Sequence, residues 1–272
     1  MSDGVRALGT DGDDADQMAT SRRLPAGHAT RLRSIPVSQL AAKSILDWIV
    51  DEGIEPGEML PNEATMASVL RVARATLREA LRLLATHGVI EVRTGRGGGP
   101  VVQEPSAAAF AQQSLMLLQF MRVRYQDLLE GRQLLEPTIA QAAARHGDSA
   151  SLAELEDCAA HLADTVDDPV KYRAALTRFH LILGDCTGNS VVSVINSVFA
   201  QASQLVHEGI PVPHRHRKGT IDWYSRVAEA ILAGDEEGAA STTEAYLSHY
   251  RRWLDRYSPA SLTQTVRWVP GR

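Results

Sequence analysis

The chain has 272 residues, 44% of them hydrophobic, long enough for two domains with their own cores. Two cysteines exclude a disulfide framework, and no run of about 18 apolar residues supplies a transmembrane helix. A net charge of −5 argues against indiscriminate nucleic-acid binding, yet residues 22–104 are net positive, with 11 Lys/Arg against 9 Asp/Glu.

Met1 to Gly27 carries Asp3, Asp11, Asp13, Asp14 and Asp16 around no apolar core. It does not read as a secretory signal, and residues 1–33 are expected to form a disordered acidic tail. A first domain is expected over residues 34–104. Its first helix runs from about Val37 to Glu52, with Ala41, Ile45, Trp48 and Ile49 at helical spacing, and ends at Gly53 before the Pro56-Gly57 turn. After Pro61 a short helix through Leu70 is expected to turn Met66, Val69 and Leu70 inward. The next, roughly Arg74 to His87, sets Leu77, Leu81 and Leu84 on one stripe and Arg74, Arg78 and Arg82 on a neighbouring one. On an arbitrary helix such arginines are a solvated face. At the start of the second helix of a helix-turn-helix they sit where side chains meet DNA. Two short strands, Val89–Arg93 and Pro100–Gln103, flank Thr94-Gly95-Arg96-Gly97-Gly98-Gly99. No helix begins after this glycine loop, so a nucleotide-binding fingerprint is disfavoured and a wing is favoured.

A linker is expected at Gln103-Glu104-Pro105-Ser106. Helical patterns follow near residues 107–121, 125–146, 149–166, 169–186, 189–207, 217–233 and 236–257. The fold class is therefore mainly α: an N-terminal winged helix-turn-helix with a small β-hairpin wing, then an all-α bundle over residues 105–258 and a C-terminal tail over 259–272. Such a bundle has room for a ligand cavity among its helices. Cys158 and Cys186 lack paired-ligand spacing and read as buried, reduced thiols of a cytoplasmic protein. The run His214-Arg215-His216-Arg217-Lys218 reads as a solvated loop.

Leu60-Pro61, Arg74, Arg78-Glu79-Ala80-Leu81, Gly88-Val89-Ile90 and Gly95-Arg96-Gly97 resemble the DNA-binding domain of the GntR family of bacterial transcription regulators. Asp127 to Arg132 with Glu136, Arg178-Phe179-His180, Thr187-Gly188-Asn189 and Ala230 to Asp235 resemble the helical FCD domain of its FadR subfamily. Together the resemblance covers about residues 34–257. It implies that Arg74 and Arg78, with Thr76 close by, contact guanines or phosphates, since an arginine fork fits the O6/N7 edge of guanine. The wing residues Thr94, Gly95 and Arg96 approach the backbone or the narrow minor groove. Two positions depart from the family pattern: Ala73, where Ser or Thr would cap the recognition helix, and Ala64, where a basic residue is common.

The sensor half departs further. Many FCD domains hold a divalent metal with an Asp, a His four residues later and two further His, and those positions here are Leu176, His180, Tyr224 and Tyr246. One imidazole does not hold Zn²⁺, which wants at least three protein ligands. The resemblance then implies a pocket of His180, Tyr224, Tyr246 and, if it points inward, Arg132, with Asn189 at its edge. That pocket would take a small organic effector without a metal or other cofactor, and Arg132 would pair with a carboxylate or phosphate. The resemblance implies a cytoplasmic homodimer, a repressor in family habit, that reads a short inverted repeat of double-stranded DNA and responds to a carboxylate or acyl-type effector, with no membrane partner. Two rivals stand beside it. One is a metal-dependent sensor using His180 with an unforeseen set that includes His249. The other is a helical enzyme with an appended DNA-binding domain, disfavoured because no Ser/His/Asp or Cys/His constellation is identifiable.

Overall fold

A computed structural model describes residues 35–95, 98–104, 107–207 and 210–269. The acidic segment 1–33, Arg96 and Gly97 of the glycine loop, and Pro105 and Ser106 of the expected linker lie outside the described residues.

The first domain is α1 (Val37–Asp51), α2 (Glu63–Leu70), α3 (Arg74–Thr86) and a hairpin of β1 (Ile90–Val92) and β2 (Pro100–Val102). Ala41, Ile45 and Ile49 of α1 pack against Leu77, Leu81 and Leu84 of α3, joined by Met66, Ile90 and Val102. Gly53 ends α1 with φ 61, a backbone state that only glycine enters at little cost. Asn62 caps α2 by accepting from the Thr65 N–H at 3.0 Å. Arg71, left-handed at φ 54, turns the chain sharply so that α3 begins three residues later. The strands pair antiparallel, Ile90 opposite Val102 and Val92 opposite Pro100. Residues 57–60 complete the other edge of β2, with Gly57 N–H donating to Val102 O and Leu60 N–H to Pro100 O. One expectation fails: Val69 is 75% exposed. With Met66, Ala67 and Leu70 on the packed side, Val69 lies about 100° off the centre of that face.

The second domain contains α4 (Ala107–Phe120), α5 (Tyr125–His146), α6 (Ser149–His161), a 3-10 turn at Leu162–Thr165, α7 (Pro169–Asp185), α8 (Ser190–His207), α9 (His214–Leu232), α10 (Glu236–Tyr257) and α11 (Pro259–Leu262). Asp148, Asp168 and Asp235 cap α6, α7 and α10, and Pro169 occupies the first turn of α7, where its missing N–H costs nothing. The bundle pairs α5 with α10, α7 with α8, α4 with α8 and α9 with α10. At Gly184 a Cβ would lie 3.0 Å from the Ser193 Cα, so the glycine permits the close approach of α7 and α8. Among the described residues no helix is long and apolar enough to cross a membrane. Cys158 and Cys186 are free and buried, and burial pushes the Cys186 thiol up to about 11, which leaves it protonated near neutral pH.

Two further expectations are corrected. The basic run at 214–218 is the first turn of α9, not a solvated loop. Arg217 joins Thr220, Ile221 and Tyr224 on the buried stripe, and the His216 ring stacks on Trp253 at 4.1 Å. The exposed members His214, Arg215 and Lys218 give the run its polar look. Residues 259–269 are likewise docked and are not a free tail. Leu262 and Val266 are buried, Tyr125 N–H donates to Gln264 O, Val266 N–H to Val123 O, and Trp268 N–H to the Gln119 side chain.

Candidate functional site

Two regions gather polar side chains in positions that could meet a partner or ligand. The first is the outer face of α3. Ala73 stands at its N-cap with extended backbone and no side-chain bond, so the first N–H groups of α3 stay open toward solvent. Arg74, Arg78 and Arg82 are exposed along one row, beside the buried leucine stripe, and Thr76 is half-buried. The Arg78 Nε donates to Glu63 Oε2 of α2 at 2.9 Å, a contact the sequence reading missed. With side chains 65% and 36% exposed, this pair is screened by water and orients the guanidinium more than it stabilises the fold. Thr94 and Gly95 are exposed at the hairpin tip. Gly98 N–H donates to Gly95 O and Arg93 N–H to Gly99 O, closing a turn so tight that a Cβ on Gly98 would lie 2.3 Å from the Arg93 carbonyl oxygen. Arg96 lies outside the described residues, so its place on the wing stays an expectation.

The second region is the centre of the bundle, where α5, α7, α8, α9 and α10 meet. Arg132 does point inward, but Glu136, one turn along α5, claims its charge. Nε donates to Glu136 Oε1 at 2.5 Å and Nη2 to Oε2 at 3.0 Å, with side chains only 2% and 1% exposed. Arg132 also donates to Ser203 Oγ at 3.2 Å and contacts His180 Nε2 at 3.0 Å. The Tyr224 hydroxyl meets the same His180 nitrogen at 2.7 Å and reaches the Tyr246 hydroxyl at 3.5 Å. Since arginine only donates, Nε2 accepts and the His180 proton resides on Nδ1, a buried atom with no hydrogen-bond partner among the described residues, 3.9 Å from Glu136 Oε1. Burial lowers the His180 pKa to about 4, so the ring is neutral at pH 7. Burial also opposes the Glu136 charge, but the adjoining guanidinium outweighs it and holds the carboxyl below its usual range. The Tyr224 and Tyr246 phenols are pushed up, chiefly by burial.

Three of the expected sensor residues are thus brought together with Arg132, and the fifth is not. Asn189 is exposed, and its Oδ1 accepts from the Val191 and Val192 N–H groups, so its visible work is to cap α8. Sequence reasoning missed that Glu136 occupies Arg132, although the four-residue spacing on one helix carried that signal. The open space lies beside the network. A cavity of about 480 Å³ is walled by Tyr172, Leu176, Tyr246 and Tyr250 together with His216 and Arg217. A larger, more open groove of about 740 Å³ runs past Trp223, Arg226, His249 and Trp253.

The donor set does not suit a metal of the expected kind. Leu176 offers no donor, both phenols are held protonated, Glu136 is committed to Arg132, and the one His180 acceptor nitrogen already faces Arg132 and Tyr224. Among the described residues no group of three His, Cys, Asp or Glu side chains is placed to hold an ion, His249 included.

Comparison with known proteins bears on both regions. The family model described as bacterial regulatory proteins, gntR family, matches residues 37–98, and the FCD domain model matches residues 127–249. An uncharacterized HTH-type transcriptional regulator of Mycobacterium tuberculosis is 29% identical over 78% of this chain and 87% of its own. The HTH-type transcriptional regulator LutR of Bacillus subtilis is 25% identical over 75% of this chain and 94% of its own. A solved structure described as Streptococcus agalactiae GntR superposes with a TM-score of 0.63 at 26% identity, covering 79% of this chain and 99% of that one.

Proposed function

The chain is a transcription regulator of the GntR family with an FCD effector-binding domain, a DNA-binding protein and not an enzyme, and we propose that it is a cytoplasmic homodimeric repressor released from its operator by a small organic effector without a metal. The observation that carries the DNA half is the exposed row Arg74, Arg78, Arg82 on α3, the second helix of the helix-turn-helix, with the wing tip of Thr94 and Gly95 following it in the chain. In this reading Arg78 leaves Glu63 for a guanine or a phosphate, Arg74 and Thr76 contact the backbone or base edges nearby, and the wing brings Arg96 to the minor groove. Two copies read the half-sites of a short inverted repeat. The α4 helix, which exposes Leu117 and Phe120 with Met121 just beyond its end, supplies an apolar face for the second copy.

The effector half rests on the polar network at the meeting point of five helices. A ligand shifts operator affinity only by its differential affinity for the DNA-competent and incompetent arrangements. A network in which Arg132, His180, Tyr224 and Tyr246 share partners is suited to two such arrangements, because displacing one member forces its neighbours to find new bonds. Anisotropy of a labelled operator fragment with full-length protein tests this reading. Wild type binds with a stoichiometry of two chains per operator, and an effector releases it. A single chain per operator, or specific binding retained by Arg78→Ala, contradicts it.

A further inference from the structure

The turn between α2 and α3 is closed by a residue type that its backbone disfavours. Arg71 has φ 54 and ψ 41, the left-handed state. Among the described residues only Arg122, beyond α4 in the second domain, shares a positive φ without being glycine. Elsewhere in the first domain glycine takes such angles, as at Gly53, Gly88 and Gly95. The left-handed state crowds a Cβ against the backbone, and asparagine, aspartate and histidine enter it more readily than a long side chain. Nothing in the hydrogen bonding of the turn asks for arginine. Arg71 N–H donates to Ser68 O at 3.2 Å and Val72 N–H to Ala67 O at 3.1 Å, bonds that a glycine would make with less strain.

The side chain recovers none of that strain inside the molecule. It is exposed, and among the described residues it makes no hydrogen bond or ion pair. Glu63, the acid of α2, accepts from Arg78 instead. A strained backbone that presents a cation to nothing within the chain directs attention to a partner outside it. Position gives the chemistry of that partner. Arg71 lies three residues before Arg74, the first residue of α3, and it is the one Lys or Arg between Pro61 and Ala73. In a helix-turn-helix the first helix crosses the phosphate backbone and the second enters the groove, so the turn between them lies where backbone meets groove.

We propose that Arg71 is a phosphate anchor, its guanidinium taking a DNA backbone phosphate at the edge of the groove that α3 enters. The left-handed turn is kept because it holds the side chain there. The inference rests on the reading of α3 as the recognition helix, and it adds a contact that seats that helix without reading sequence.

The test uses full-length protein, its helicity checked by circular dichroism. Binding is measured to an operator fragment selected from a random pool and to an unrelated duplex of equal length, from about 50 to about 200 mM salt. Arg71→Gly and Arg71→Asn both accept the left-handed turn and both remove the charge. Each weakens binding to both duplexes roughly five- to ten-fold per chain near 0.1 M salt and lowers the salt slope by about 0.9 per chain. Arg71→Lys keeps the slope. Arg71→Gly leaves the melting temperature at or above that of wild type, because strain is relieved and no internal contact is lost. A structural role for the side chain would lower it.

A fall in melting temperature with Arg71→Gly, or an unchanged salt slope in Arg71→Gly and Arg71→Asn, overturns the proposal. So does a loss confined to the operator, which would put Arg71 against a base edge. The unrelated duplex separates this inference from the reading beneath it. If Arg78→Ala binds the operator like wild type while Arg71→Gly loses slope on both duplexes, the recognition-helix reading fails and the phosphate contact stands without it. If Arg78→Ala abolishes operator binding and Arg71→Gly changes nothing, the phosphate contact alone fails.

Discussion

Replacing Glu136 by Gln strips the buried Arg132 of its counter-charge while keeping volume and hydrogen-bonding shape. Both side chains are at most 2% exposed, so water neither screens the pair nor rescues the orphaned guanidinium. Removing one partner of such a pair costs about 3–5 kcal/mol. At about 2–4 °C per kcal/mol for a chain of this size, the melting temperature should fall by roughly 10 °C. The double replacement Arg132→Met with Glu136→Gln, compared with each single replacement, removes both charges and leaves His180 Nε2 to Tyr224. It should therefore be more stable than the sum of the single losses by about 2–3 kcal/mol. Urea unfolding at pH 7.5, followed by intrinsic fluorescence, measures the cycle. Three of the four tryptophans, Trp223, Trp253 and Trp268, belong to the second domain, so the signal reports chiefly on the bundle. A loss below 1 kcal/mol for Glu136→Gln, or strict additivity in the double variant, refutes the buried ion pair as the organising contact of the core.

Three further outcomes are expected. Acid should destabilise the protein above the range where carboxylates titrate. The unfolded chain takes up a proton near pH 6.5 that native His180 accepts only near 4, so stability falls between those values by up to about 1.4 kcal/mol per pH unit for that group. His180→Gln should remove about one proton from the slope measured by urea unfolding at pH 7 and pH 5, leaving the similar share of His216, and an unchanged slope would show that native His180 is already charged. Arg96→Ala should weaken DNA binding evenly across sequences and reduce the salt slope by about one, and a sequence-selective loss would place Arg96 against a base edge. Protein purified without chelator should carry no stoichiometric transition metal by elemental mass spectrometry. One ion per chain, lost in His180→Ala, would contradict the reading of the donor set.

Much of the fold is written locally. The leucine stripe of α3, the glycine after α1, the aspartate caps of α6, α7 and α10 and the short strands around a glycine loop are each set by neighbours in sequence, and periodicity recovers them. What escaped was decided by contacts between distant segments. Residues 259–269 read as a tail because their sequence shows no period, while contacts with distant residues hold them down: the burial of Leu262 and Val266, the backbone bonds to residues 123–125 and the bond from Trp268 N–H to Gln119. The run at 214–218 read as solvated because three of its five members are. Arg217 and His216 are buried by α10 and by the Val166 and Val212 carbonyls, which lie far off or across a turn. Of the residues expected to line a sensor pocket, His180, Tyr224 and Tyr246 converge and Asn189 does not. The chemistry of that set was not legible, because Arg132 looks like a free cation until Glu136 is seen to hold it.

The most direct measurement is selection of bound sequences from a random DNA pool by full-length protein, repeated with Arg78→Ala. Wild type should enrich a two-fold symmetric site and bind it with steep salt dependence. Arg78→Ala should keep its helicity and its oligomeric state and enrich nothing. Enrichment of the same site by both proteins, or an asymmetric site for wild type, would contradict the assignment of α3 as the recognition helix of a symmetric dimer.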